Sequence, residues 1–417
     1  MTTTTKHQAF EALKLPNFPA FVGTFVLTMM ADNVEHVISY WVAFQKFNSP
    51  ALGGFAVISH WIPYLLFSVG IGALNDRFDS RRLIQIGAVL FMMVSLGWGF
   101  AFVTGTLTIP LAMLLLVMHG IAGLFWMISS QVLLYDIVGV EKLASAVRLT
   151  ATARYFGVLV GPGVGSLFMS TLGPIRGIFL NAALYLPLIL WLIYAPQGHR
   201  TQRIAQSAKR TMRGLKDIWE TFLTVKSIPS LGIMIFLSGA ASFFIGNSYQ
   251  AQMPGFANDL GQIEPGIVYS MLLAADAAGA LIAGIAMESG IRFTRVTPSA
   301  AIGFAVAWAA SLASFSLTHT YALALAFLFV AGFCELSFSS MNQTIVQMNA
   351  PDAMRGRILG LFSMASSGLR LFSGVFVGLV GSQIGIHSSL FGAALTFIAA
   401  MLCWLFLNRL STKHRKL

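Results

Sequence analysis

Apolar runs of about twenty residues recur along the whole chain, each ending at a short polar joint, and a helix of that length just crosses a hydrocarbon core of about 30 Å. A chain built this way has one economical fold, a bundle of helices with lipid as solvent. Hydrophobic residues make up 56% of the 417 and charged residues only 10%, which leaves too little polar surface to cover a water-soluble core. The clearest joint separates Leu52–Leu74 from Leu83–Val103. Asp76, Arg77, Asp79, Arg81 and Arg82 crowd into it and hold it at a membrane surface, and the arginines argue for the cytoplasmic side.

Twelve spans are expected: Phe18–Phe44, Leu52–Leu74, Leu83–Val103, Leu111–Leu134, Leu143–Ser170 and Gly177–Ala195, then Leu231–Met253, Gly266–Met287, Pro298–Leu317, Tyr321–Val346, Ile358–Ile384 and Ser388–Leu407. They divide the chain into an N-terminal six-helix bundle (1–195), a basic linker (196–229) too hydrophilic to cross, and a C-terminal six-helix bundle with a short basic tail (230–417). Of the 26 lysines and arginines, 21 fall in the termini and even-numbered loops and only Lys46 and Arg176 in the opposite set. Both termini are therefore expected in the cytoplasm. The polar segment before Pro16 lacks the apolar core of a cleavable signal, so the first span is expected to be retained.

The halves echo one another. Gln131 precedes Asp136 as Gln347 precedes Asp352, and the same offset of 216 carries Arg154 onto Arg370. Duplicated bundles of this kind are common among secondary transporters.

Several function classes drop out. The net charge of +11 follows the membrane topology and shows no basic run interleaved with exposed aromatics, so nucleic acid is not an expected partner. Cys334 and Cys403 lie in apolar runs without metal-ligand spacing, and no Gly-x-x-x-x-Gly-Lys-Ser/Thr stretch supports ATP hydrolysis. Neither a catalytic constellation nor a soluble signalling module is evident. No cofactor, no resident metal and no enzymatic activity are expected.

Gly72-x-Leu74-x-Asp76-Arg77-x-x-x-Arg81-Arg82 resembles the loop 2–3 signature of the major facilitator superfamily. Asp79 stands where that family usually has glycine, so the tight turn is expected to be built differently. The segments Gln131–Ala146 and Gln347–Arg357 are similar to those after helices 4 and 10 in the branch of enterobactin exporters and macrolide efflux proteins. Gly157-x-x-x-Gly161-Pro162-x-x-Gly165 resembles the helix 5 motif of the superfamily's antiporters, whose hinge seals the cytoplasm-facing cavity. The spacing also allows close backbone approach whatever the cargo. The resemblance implies two rocking six-helix bundles around a central cavity, with helices 3, 6, 9 and 12 facing lipid.

Those four spans carry no charge. Charged side chains inside a membrane are costly and belong in a water-filled cavity or beside a partner. They fall on span 1 (Asp32, Glu35), span 5 (Arg148, Arg154), span 8 (Asp276), span 10 (Glu335) and span 11 (Arg370). Asp32, Glu35, His36 and Tyr40 share one helical face. Asp32, Glu35, Asp276 and Glu335 are candidate proton-coupling groups, Asp32 and Glu35 alternatively forming a structural pair with Arg154 or Asn33. Arg154 and Arg370 are candidates to clamp an anionic or zwitterionic substrate through their planar forks. The alternative is neutralisation, with Arg154 balancing Asp32 or Glu35 and Arg370 balancing Glu335.

His36, Tyr40, Trp126, Asn247 and Gln250 complete the expected substrate contacts, with Met29, Met30, Met127, Phe243 and Phe244 as an adaptable apolar lining. Arg148, five residues inside span 5, is expected at the interface. His60 and His119, each alone on its helix, are expected to be packing residues. Asp32-x-x-x-His36 is faintly similar to the first helix of ferroportin-type iron exporters. The expected function is proton-coupled export of a small amphipathic or anionic organic molecule, a siderophore or a drug, by a monomeric multi-pass protein of the bacterial inner membrane. Proton-symport uptake of an organic acid and divalent-metal export are the alternatives.

Overall fold

The computed structural model describes residues 9–47, 49–195, 215–246, 248–260, 265–289 and 295–414, and all regular structure among them is helical. The first half comprises α1 (Phe18–Phe47), α2 (Pro50–Asn75), α3 (Ser80–Val103), α4 (Ile109–Val138), α5 (Leu143–Ala183) and α6 (Leu186–Tyr194). The second comprises α7 (Leu215–Ser227), α8 (Pro229–Phe244), α9 (Ser248–Ala251), α10 (Met253–Asp259), α11 (Pro265–Glu288), α12 (Pro298–Leu317), α13 (Tyr321–Asn349), α14 (Arg355–Ser363), α15 (Arg370–Ile384) and α16 (Ile386–His414). Ser49 and Thr108 accept hydrogen bonds from the Leu52 and Leu111 amides ahead of prolines in the first turns of α2 and α4, so each hairpin restarts with its free donors partly satisfied.

Among the described residues eight helices are long and apolar enough to cross a membrane, or nine if one bent pair counts as a single span. The other expected spans are diluted or broken. In α1, Asp32, Asn33, Glu35 and His36 interrupt the apolar run. The boundary expected between Ser170 and Gly177 is a bend in α5 at Gly173, whose φ of 77° a side chain would resist, just before Pro174.

Two expected spans are not continuous helices. Leu231–Met253 breaks after α8, where Gly246 adopts φ 49°, and α9 and α10 carry the chain onward. Ile358–Ile384 divides into α14 and α15 at a π-helical turn, Met364–Gly368, immediately before Arg370. Both breaks coincide with short polar stretches, residues 247–252 and 366–370, which a hydropathy window averages into the apolar run. Within the linker, 196–214 lies outside the described residues. Its remainder forms α7, and the chain turns through 114° into α8.

Close packing runs through glycine. A Cβ on Gly157 or Gly161 would lie 2.5 Å from Met29 Cβ or 2.6 Å from Asn33 Cβ, so α5 and α1 meet backbone to backbone. Between the halves, a Cβ on Gly72 of α2 would fall 2.2 Å from the Gly356 carbonyl oxygen of α14, and one on Gly284 of α11 would strike Thr152 of α5. Most buried apolar side chains gather into separate clusters that follow the two halves of the chain.

Candidate functional site

At one end of the molecule the loop after α2 fastens the two halves together. The Asp76 carboxylate accepts from the backbone amides of Gly356 (2.7 Å) and Arg357 (3.1 Å) and from Arg357 Nε (3.2 Å), sitting on the N-terminal turn of α14. Free amides and the helix dipole favour an anion there. Asp79, with φ −63°, caps α3 by accepting from the Arg81 amide at 3.0 Å and pairing with its guanidinium. A side-chain cap thus makes the turn without a left-handed residue, which accounts for the missing glycine. Partial burial opposes ionisation of Asp79, but its bonds from Arg81 hold the carboxyl below the usual carboxylate range. Arg81 also reaches the Ala195 carbonyl and Arg82 bonds Gln85, while Arg77 is half-buried.

Arg148 is not interfacial as expected. It is buried on α5 and its Nε donates to Glu288 of α11 at 2.7 Å, where Ser145 also donates to the same carboxylate. Glu288 was not singled out from sequence. Its depth near the end of a span, matching that of Arg148, was the available signal.

Deeper in, two cavities share Met127, Arg154, Glu335 and Arg370 in their walls, so both halves of the chain line a common space. The one on the α1 side, of about 320 Å³, also reaches Asp32, His36, His60, Trp126 and Gln250. Arg154 lies over the Tyr155 ring (5.4 Å) and Arg370 over the Trp61 ring (5.2 Å), and Arg370 Nε donates to the Ser366 carbonyl. Among the described residues neither arginine forms an ion pair. Glu335 and Asp32 nonetheless line the same cavity as the two arginines.

The span 1 acids have another partner. His119 of α4, 3% exposed, lies between them, Nδ1 2.8 Å from Glu35 Oε1 and Nε2 2.9 Å from Asp32 Oδ1. Glu35 also accepts from Ser95, which accepts from Asn181 Nδ2 at 3.2 Å. His60 and His119 are thus not isolated packing residues. The rings of His36, His60 and His119 converge from α1, α2 and α4 with centroids 4.6 to 5.7 Å apart. Asn33, the other suggested partner, instead donates to the Met29 carbonyl. Reading one helix at a time hid the convergence, since His60 and His119 each stand alone on their own helix.

On the other side of the cavity, Asp276 of α11 and Glu335 of α13 are both buried and both accept from the Tyr249 hydroxyl of α9, at 3.2 and 3.3 Å. Gln250 donates to Asp276 at 3.0 Å. Among the described residues neither acid has a basic partner. The break in the expected span 7 delivers Tyr249, which α9 carries to acids in the middle of α11 and α13.

The remaining expected contacts divide. Met29, Trp126 and Met127 line the cavity, with Trp126 fixed against Phe25 at 4.7 Å. Tyr40 packs on His36 (5.0 Å) but is 39% exposed and outside the lining, and Met30 is also outside it. Phe243 and Phe244 border a separate apolar recess with α15 and α16. Asn247 lies outside the described residues.

The family described as transmembrane secretion effector matches residues 6–415. The chain is 22% identical over 397 residues to the multidrug efflux pump Tap of Mycolicibacterium fortuitum, covering 92% of this chain and 94% of that protein. It is 24% identical over 364 residues to the enterobactin exporter EntS of Citrobacter koseri, covering 86% and 81%. A bacterial homologue of the iron transporter ferroportin, solved in an outward-facing state, superposes with a TM-score of 0.73 at 16% identity over 94% of this chain and 99% of that one.

Proposed function

The chain belongs to the transmembrane secretion effector family of major facilitator transporters, and from that premise we propose that it exports a small amphipathic or anionic organic molecule in exchange for protons. The single observation that carries this reading is the pair of arginines, one from each half, lining a common cavity with no acid in ion-pair contact with either among the described residues. An unpaired guanidinium in a low-dielectric cavity is costly, and an anionic cargo removes that cost. The aromatic walls beside each arginine suit the apolar part of the same molecule. The siderophore and drug relatives fit a cargo with both characters.

Proton coupling is assigned to Asp276 and Glu335 first, with Asp32 and Glu35 as the second pair. Two carboxyl groups bridged by one hydroxyl, with no cation in ion-pair contact among the described residues, cannot comfortably both be ionised in an apolar interior. A proton taken there changes the charge that the cavity presents to Arg370 and to cargo. That difference biases the equilibrium between the inward- and outward-open states.

With loop 2–3 in the cytoplasm, the contacts of Asp76 with α14 and of Arg148 with Glu288 form the cytoplasmic seal between rocking bundles 1–195 and 230–417. Opening toward the cytoplasm must break both. The clamp is tested in proteoliposomes with Arg154→Ala, Arg370→Ala and Asp276→Asn, using a carboxylate-bearing drug or a catecholate siderophore as cargo under an imposed pH gradient. Flux that collapses in both arginine variants supports the reading. Flux equal to the parent in all three rejects it.

A further inference from the structure

We propose that His36, His60 and His119, with Asp32, form a binding site for one divalent transition-metal ion in the first half of the molecule. The site shares the central cavity with the arginine pair but uses other residues, and it does not depend on the identity of the organic cargo.

One ring nitrogen from each histidine lies within 4.8 Å of those of the other two. Around a tetrahedral ion bound at about 2.05 Å, ligand nitrogens stand about 3.3 Å apart, so the rings need close by no more than about 1.5 Å. Their buried polar atoms point the same way. His36 Nε2 and His60 Nδ1 are buried without a hydrogen-bond partner, and His119 Nε2 faces only the Asp32 carboxylate. Two unsatisfied nitrogens beside a third that already faces a carboxylate are expensive to leave so, and a shared ion satisfies all of them.

Asp32 supplies the fourth corner. Its carboxylate oxygens lie 2.9 Å from His119 Nε2 and 3.9 Å from His36 Nδ1, so a small rotation brings one onto the ion. Glu35 has a different task. It faces Nδ1 of His119, fixing the tautomer in which Nε2 presents its lone pair to the cluster, and Ser95 and Asn181 hold it in turn. Asp32 and Glu35 together carry two negative charges, matching the ion's two positive ones, so the occupied cluster is neutral inside the bundle.

Three imidazoles and one carboxylate select the zinc-like divalent ions over calcium and magnesium, which take all-oxygen sets. Entry is from the central cavity, which Asp32, His36 and His60 help to line, while His119 forms the floor at 3% exposure.

The test uses the full chain in lipid nanodiscs with Zn²⁺, followed by isothermal titration and by X-ray absorption of the loaded protein. One ion per chain with scattering from at least two imidazoles is expected. His60→Ala and His36→Ala should each weaken binding by about a hundredfold, the upper range for losing even an outer-shell partner. His387→Ala, a histidine of the other half paired with Asp259, should change nothing. Undetectable Zn²⁺ binding, a spectrum with fewer than two imidazoles, or binding that survives loss of both His36 and His60 would overturn the proposal. The spectrum is read on the unaltered chain, so the outcome stands even where a variant fails to fold.

Discussion

Each half of the molecule buries a pair of acids beside the same cavity, and the two pairs are compensated in opposite ways. Asp32 and Glu35 have an imidazole between them and two more histidines next to it, with Glu35 further held by Ser95. Asp276 and Glu335 have only a phenol and an amide. A basic partner turns buried acids into a fixed structural or ligand-binding unit, whereas neutral donors leave them free to change charge. This contrast underlies the proposals of a metal site in the first half and of Asp276 and Glu335 as the first coupling pair.

The largest expected effect comes from removing the compensation. His119→Ala leaves Asp32 and Glu35 buried without a counter-charge and should cost about 3–5 kcal/mol, the scale for breaking one side of a buried pair. Thermal unfolding in detergent reads the loss, and an unchanged midpoint would erase the contrast between the halves. Asp276→Asn should have the reverse profile. Its midpoint should stay level or rise, while flux driven by a pH gradient falls about tenfold, equivalent to about 1.4 kcal/mol, and cargo exchange without a gradient persists.

A third variant probes the link between the halves. Arg148→Ala strands the buried Glu288 carboxylate at the α5–α11 contact, so it should favour the state open at that end. Labelling of a cysteine placed at Thr152 should rise severalfold over the parent, a shift of about 1 kcal/mol in the conformational equilibrium. Equal labelling would remove this contact from the seal. Glu288→Gln should shift it in the same direction, since it leaves the buried Arg148 guanidinium without its counter-charge.

The smallest effect is a control outside both pairs. Asp79→Ala should lower stability by about 1 kcal/mol through loss of the α3 cap. Because the folded carboxyl is held below its unfolded value of about 3.9, this difference is fully present above that pH and is lost as the pH falls through the lower folded value. A gap between the midpoints of parent and variant that does not narrow as the pH is lowered below that unfolded value would assign the cap to something other than the charge.

How much of this was legible follows from what each signal encodes. Asp32, Glu35 and His36 share a face because α1 has a fixed period, so their grouping could be read from one stretch of sequence. The offset that carries Arg154 onto Arg370 likewise anticipated two arginines at one cavity, where the structure brings both. His60 and His119 could not be read in the same way, since the ring rotations of three helices decide whether lone histidines meet. Tyr249 was hidden by an unrecognised break at Gly246, where a short polar stretch was averaged into the apolar run.

Sequence by itself determined the solvent and the elements: apolar length sets which segments can lie in lipid, and the cost of burying charge confines ionisable groups to a few of them. Tertiary structure alone decided the partners. Which buried acid meets a histidine and which meets only a hydroxyl depends on helix rotation, on breaks such as the π turn before Arg370, and on glycine contacts that set how closely helices approach. These are distances between segments far apart in the chain, and no local pattern of residues carries them.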